Sequence, residues 1–540
     1  MTVKEGDFVV IAGPSGSGKT TLLRLIKHEL APYGKRTGAI RYKGKDVFEW
    51  DAHTLASEIG YVFQEPDDQI VMDEVLQEIV FGMEHVNLPH LEMRKRLSEL
   101  VHAFGVDGLL KGKTHHLSGG QKQLVSLLSI LLLRPNVLLL DEPTSQLDPV
   151  SAKELLQLLE RLNREMGITI ILVEHRLEEL FPLTDNIIFL DEGKIAYSGS
   201  IRQVIYDIYA RKDARFYQYL PSVSRLYLEK EAEVQIDHIP LHVKEARSWL
   251  RRKKMRLKEL DQKPLEAKEH IDNPLISLDK VYFQYERESP FILKNCSLAI
   301  AEGEFFAIVG GNGSGKSTLL KVMMGLLKPQ RGLVRFKGKK LKKYSKDERA
   351  KHFGYLPQHP LAYYMEETLG REMEQIIGKK QMEDGDEKKQ AICQRLKIGH
   401  LLDRHPNDIS SGELQRATLA CLLLEEPTVL FIDEPTKGLD PDAKERLASL
   451  LQELKEEGLT IVMVTHDIEF AVKHVDRCAI LFDGAMSAIG TPEQIFKGNY
   501  FYTTTINRAT YSEHFAGFLT LEEAVDQWEN IYGHYPLPLS

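Results

Sequence analysis

Cysteine is scarce in this 540-residue chain: Cys296, Cys393, Cys421 and Cys478 are widely spaced and all fall in the second half. That spacing excludes a disulfide framework and a thiolate metal cluster, and predicts four small buried hydrophobes. Long hydrophobic runs are missing as well. The longest, LVSLLSILLL at 124–133, is stopped by Arg134 and Pro135, well short of the roughly 20 residues a bilayer span needs. No transmembrane segment is therefore expected. The start, MTVKEGDFVVIAG, carries no basic leader and no small-residue cleavage site, which points to the cytoplasm. There is no basic excess either. With 70 Lys and Arg against 79 Asp and Glu, the net charge is -9, which argues against a surface built throughout for nucleic acid.

What is present is enough apolar material for packed cores, 43% hydrophobic against 28% charged, in a chain too long for one core. Several domains are expected, or two large ones with smaller pieces. The two halves repeat one another. GPSGSGKTTLL at 13–23 returns as GGNGSGKSTLL at 310–320, YVFQ (61–64) as YLPQ (355–358), and LSGGQKQ (117–123) as ISSGELQ (409–415). VLLLDEPTSQLD (137–148) returns as VLFIDEPTKGLD (429–440), ILVEHR (171–176) as VMVTHD (462–467), and GSIRQVI at 199 as GTPEQIF at 490. Short continuous apolar runs such as FVVIAG and ITIILV read as strands of a parallel sheet buried on both faces, and helical patterns such as SAKELLQLLERLNRE (151–165) separate them. That alternation predicts an α/β fold with ligands at the carboxyl ends of strands. The repeats place domains at 1–208 and 274–500, a linker at 209–273 holding the basic run KEARSWLRRKKMRLK (244–258), and a tail at 501–540 whose FLTLEEAVDQW has helical spacing.

The glycine loops carry the chemistry. Gly13, Pro14, Ser15, Gly16, Ser17, Gly18, Lys19, Thr20 and Thr21, and likewise Gly310, Gly311, Asn312, Gly313, Ser314, Gly315, Lys316, Ser317 and Thr318, follow an apolar strand and open a helix. Glycines let backbone amides approach phosphate oxygens, the lysines reach the β and γ phosphates, and Thr20 and Ser317 suit magnesium. Asp141 and Asp433 end buried strands, where a carboxylate needs a cation or donors; magnesium held through water fits. Glu142 and Glu434 follow, placed to polarise a water for attack on the γ phosphate, with His175 and His466 to bridge that water and the phosphate.

Together with Gln64, Gln358 and LSGGQ ahead of a helix, these motifs resemble the nucleotide-binding domain of ABC proteins, over about 430 of the 540 residues. The resemblance implies two tandem P-loop NTPase domains, each with a mainly parallel sheet, an antiparallel β part and a helical signature subdomain. It implies ATP and Mg2+ as ligands, Gln64 and Gln358 on the metal, and ATP sandwiched head to tail between two domains. Site one would join Lys19, Thr20, Gln64, Asp141, Glu142 and His175 to the segment Ser410, Ser411, Gly412 and Glu413. Site two would join Lys316, Ser317, Gln358, Asp433, Glu434 and His466 to Ser118, Gly119, Gly120 and Gln121, and would stack adenine on Tyr285 of VYFQY. Site two is the better furnished: ISSGE replaces a glycine by Ser411 and a glutamine by Glu413, and nothing in the first half matches the stretch from Leu275 that carries Tyr285. Either the start is short or site one binds ATP weakly, so unequal activity is expected. The tandem arrangement and FQEPDDQI after Gln64 resemble the ATPases of energy-coupling-factor importers. That implies integral membrane partners, a permease and a substrate-binding subunit, with peripheral attachment to the cytoplasmic face of the membrane, no nucleic acid, and transport of hydroxymethylpyrimidine, thiamine or a metal ion. The alternative is a tandem ABC ATPase acting on ribosomes, with the basic run near Trp249 reaching RNA; the same run would also suit anionic lipid headgroups.

Overall fold

The computed structural model describes residues 1–252, 271–511 and 517–528, in two compact units, Met1–His242 and Val243–Ser540. The first unit is built on a six-stranded sheet. Its strands are β1 (Phe8–Ala12), β4 (Ile59–Val62), β5 (Val137–Asp141), β6 (Thr169–Val173), β7 (Asn186–Asp191) and β8 (Lys194–Ser200), in the order β4-β5-β6-β1-β7-β8. All neighbours are parallel except β7 and β8. β1, β4 and β6 are buried at every position, which is why they read as unbroken apolar runs. A two-residue pair, β2 (Arg41–Tyr42) and β3 (Lys45–Asp46), stands apart from this sheet.

The second unit repeats the plan with β11 (Phe305–Val309), β14 (Phe353–Leu356), β15 (Val429–Asp433), β16 (Thr460–Thr465), β17 (Arg477–Phe482) and β18 (Ala485–Gly490), ordered β14-β15-β16-β11-β17-β18. It adds an antiparallel sheet, β10-β9-β12-β13, from β9 (Ile276–Phe283), β10 (Leu293–Ile300), β12 (Arg331–Phe336) and β13 (Lys339–Lys340). In both units the helix after the DEPT segment starts the same way, because Asp148 and Asp440 cap its amino terminus and a proline follows at its first position.

The division between units falls inside the segment that lacks a repeat. Phe216 and Tyr219 lie edge-on to Phe189 of β7, with ring centroids 5.3 and 5.8 Å away, so the helices that follow residue 209 extend the first unit's core. The helix Val243–Arg252 belongs to the second unit. Trp249 is buried and stacked on Trp528 at 5.6 Å, and Arg247 Nε donates to the Arg508 carbonyl at 2.8 Å. The centre of the basic run is thus spent on an intramolecular contact; Lys253 to Lys258 lie outside the described residues. The tail's helical spacing corresponds to a helix at Leu521–Asp526, and all four cysteines are free and buried.

Candidate functional site

The carboxyl ends of β1, β5 and β6, adjacent in the first sheet, carry the phosphate-loop, Asp141 and His175 segments, and β11, β15 and β16 do the same in the second. Each loop is pressed against the next strand. A Cβ on Gly13 would lie 2.2 Å from the Leu190 carbonyl oxygen, and one on Gly310 would lie 2.4 Å from that of Leu481. Gly18 and Gly315, at φ +95° and +100°, make the left-handed turn into the helices Lys19–Ile26 and Lys316–Met323. Both lysines are buried. Lys19 Nζ donates to the carbonyls of Gly13 (2.9 Å) and Pro14 (2.8 Å), and Lys316 Nζ to those of Gly310 (2.8 Å) and Gly311 (3.1 Å). Ser17 Oγ and Ser314 Oγ, at equivalent loop positions, are buried with no hydrogen-bond partner. Orphaned hydroxyls of that kind fit a bound oxyanion.

Next to each loop a hydroxyl and a carboxylate meet. Thr20 Oγ1 donates to Asp141 Oδ1 and Ser317 Oγ to Asp433 Oδ1, both at 3.0 Å. The second oxygen of each aspartate accepts from a tyrosine, Tyr61 at 3.0 Å and Tyr355 at 3.4 Å. Burial pushes both aspartates above the ordinary carboxylate range, the neighbouring glutamate adds to the rise, and the hydroxyl hydrogen bonds oppose it. A divalent cation would remove that cost, and a hydroxyl beside a carboxylate is the hard oxygen set magnesium takes. Among the described residues no group of three or more His, Cys, Asp or Glu forms a metal site.

Glu142 and Glu434 sit at φ +45° and +52°, a costly backbone for a non-glycine residue. Their amides donate to Val173 and Val464, both at 2.9 Å, which holds each turn against the strand leading to the histidine. Glu142 accepts from Gln64 Nε2 at 2.9 Å and pairs with His175 Nε2 at 2.9 Å. Glu434 pairs instead with His466 Nδ1 at 2.7 Å and Lys316 Nζ at 3.2 Å. Gln358 makes no hydrogen bond to it. Burial works against the charged form of Glu434, but His466 and Lys316 outweigh it and hold the carboxyl below its usual range.

The signature segments start helices, and neither hydrogen-bonds to the phosphate loop of its own unit. Ser118 caps Gly119–Leu131: its amide donates to Gln121 Oε1 at 2.9 Å and its hydroxyl accepts from Gln121 N at 3.3 Å, which leaves the hydroxyl proton free to donate. Ser410, capping Ser411–Leu424, donates its hydroxyl to Glu413 Oε2 at 2.5 Å. Burial disfavours the Glu413 charge, yet the Ser410 and His400 contacts keep its carboxyl below the ordinary range. Tyr285 is 56% exposed, packed edge-on to Phe283 and within 3.3 Å of Thr318 Oγ1. An exposed ring beside the loop is free to stack on a base.

Three features escape the motif reading. One is the pair of tyrosines on the aspartates. Another is the buried pair Glu78 and Glu372: Glu78 accepts from the amides of Val71 and Met72, and Glu372 from those of Met365 and Glu366. Their equivalent spacing after Gln64 and Gln358 is the signal that would have found them. The third is Glu174, whose signal is a carboxylate directly after the buried strand β6.

A family model described as ABC transporter matches residues 1–145 and 293–437. A protein named "Putative ABC transporter ATP-binding protein" from Bacillus thuringiensis subsp. konkukian is 43% identical over 541 residues, covering 99% of this chain and 94% of its own. One named "Putative HMP/thiamine import ATP-binding protein YkoD" from Bacillus subtilis is 32% identical over 498 residues, covering 92% and 88%. The fold also resembles the solved complex of archaeal ribosomal stalk protein aP1 and the archaeal ribosome recycling factor aABCE1, with a TM-score of 0.55 at 22% identity over 89% of this chain and 84% of that one. These matches, with two phosphate loops each facing its own carboxylate set, establish that the chain belongs to the ABC transporter family, as an ATP-binding, ATP-hydrolysing protein with two ABC domains.

Proposed function

We propose that this protein is the energy-coupling ATPase subunit of an importer of the energy-coupling-factor type, bound peripherally at the cytoplasmic face through an integral permease and a substrate-binding membrane subunit. The cargo is a vitamin or vitamin precursor, hydroxymethylpyrimidine or thiamine, or a metal ion. The ATP-binding domains span 1–208 and 274–500. Lys19 and Lys316 grip the β and γ phosphates. Thr20, Asp141 and Gln64, and Ser317, Asp433 and Gln358, hold magnesium, which when bound neutralises charge on the phosphoryl oxygens. Glu142 and Glu434 draw the proton from the attacking water, and His175 and His466 fix its position against the phosphate. Ser118–Gln121 and Ser410–Glu413 contribute further contacts to nucleotide.

The observation that carries the transport reading is the surface that follows each glutamine. Val71 is 63% exposed and Met365 86% exposed, each on a segment whose backbone is pinned by a buried glutamate, so the apolar side chains stand on a fixed loop rather than a slack one. Such residues suit a helix of a membrane partner. Gln69 of the PDDQ segment braces the same loop by accepting from Phe63 N at 3.0 Å and donating to the Ser126 carbonyl at 3.2 Å. The name of the Bacillus subtilis relative supports the cargo class. No helix among the described residues is long and apolar enough to cross a membrane, as suits a subunit that relies on membrane partners. Purification of the native complex from membranes tests the reading. Co-purifying integral proteins, released by Val71→Asp and Met365→Asp, support it; association with ribosomal particles that survives moderate salt refutes it.

A further inference from the structure

Glu174 is buried at the end of β6 and belongs to neither the phosphate loop nor the carboxylate pair. Its backbone amide reaches the carbonyl of Ile11, at the end of β1, at 3.4 Å. One side-chain oxygen, Oε1, accepts from the Thr144 amide at 2.9 Å and from the Thr144 hydroxyl. The other, Oε2, accepts from the His175 amide at 3.0 Å and lies 3.5 Å from that of Arg176. One carboxylate therefore ties the turn Asp141–Thr144, which bears Glu142, to the turn that bears His175. The second unit has Thr465 at this position. Its hydroxyl accepts only the Asp467 amide, at 3.0 Å, and the equivalent Thr436 hydroxyl is buried without a partner.

We propose that Glu174 is a positioning residue for ATP hydrolysis in the first unit, acting through Thr144 and the His175 amide to fix the distance between Glu142 and His175. The proposal rests on the reading of Glu142 as the base. A buried carboxyl group with three donors at 3.0 Å or less is a stiff tie, because hydrogen bonds are stronger in a low-dielectric interior and giving one up there is expensive. In the second unit Lys316 and the His466 amide contact Glu434 directly, so the base is held without such a tie. The first unit lacks those two contacts and has the buried glutamate in their place.

The test uses the full chain carrying Glu434→Gln, so that remaining turnover reports Glu142. Glu174→Ala and Glu174→Thr are expected to lower kcat about tenfold while KM for ATP stays within about twofold. Glu174→Gln, which keeps one acceptor oxygen, is expected to recover part of the loss. Glu174→Ala combined with His175→Ala is expected to lose no more than His175→Ala alone, because both act on one arrangement. Unchanged kcat, a rise in KM equal to the fall in kcat, or losses that add in the double variant would overturn the proposal. A control separates it from its premise. Should Glu142→Gln in the same background leave turnover untouched, the base assignment falls and this inference with it; loss in Glu142→Gln with none in the Glu174 variants refutes this inference alone.

Discussion

The two units share strand order, loop geometry and the hydroxyl-to-aspartate contact at 3.0 Å, yet they hold their glutamates differently. In the second unit the loop lysine pairs with Glu434, so a phosphate arriving at the loop competes for the cation that keeps this carboxylate company. In the first unit Gln64 and His175 hold Glu142, and no lysine ion pair to it is present among the described residues. The helices behind the loops differ as well. Leu319, Val322 and Met323 are fully covered in a core that includes β9 and β10, whereas the matching Leu22, Leu25 and Ile26 are half-buried. One sequence pattern thus yields two electrostatic settings, because the partners of a buried carboxylate are chosen by the fold around it and not by the motif that contains it.

Substitutions can widen or erase that difference. The largest effect is expected from Lys316→Ala, which removes the proposed phosphate ligand and the counter-charge of Glu434 together; ATP binding to the second unit should weaken at least about 100-fold, measured with a fluorescent nucleotide. Tyr285→Ala should weaken the same unit by about 1–3 kcal/mol through loss of base stacking and bring its affinity closer to that of the first. Tyr61→Phe should cost about 1 kcal/mol of stability by leaving Asp141 one donor short, and Tyr355→Phe less, since its contact is longer. The depressed carboxyl of Glu434 makes a signed prediction. Its ionised form stabilises the fold above its ordinary value of 4.5, and that contribution disappears as the pH falls through the folded-state value. The melting-temperature deficit of Glu434→Gln should therefore be full at neutral pH and shrink in acid. The smallest effect concerns the cysteines, which all lie in the second unit. Burial raises the Cys296 thiol to about 11 and Cys478 to about 12, so a thiol reagent at pH 8 should be silent on the native protein and report only the second unit's unfolding.

Much of this site is legible in the sequence, and the reason is physical. A phosphate loop is a local structure: glycines at fixed intervals, a lysine and a helix start are set by neighbours in the chain. Asp141 and Asp433 are legible because a carboxylate closing a buried apolar run demands a partner. The partners themselves are not. Tyr61 meets Asp141 across 80 residues and Glu174 meets Thr144 across 30, contacts fixed by strand pairing between β4 and β5 and between β5 and β6. The parallel sheet is read from unbroken runs such as FVVIA and TIILV. The docking of Trp249 on Trp528 is not, because a charged stretch with one aromatic looks like a solvated face until the tail supplies the other ring.

The central claim is that both glutamates are bases but unequally equipped. Steady-state ATP turnover by the full chain carrying Glu142→Gln or Glu434→Gln, measured separately, tests it most directly. Loss in both variants, with Glu434→Gln the more severe, is the predicted result; equal losses, or none in either, would contradict it.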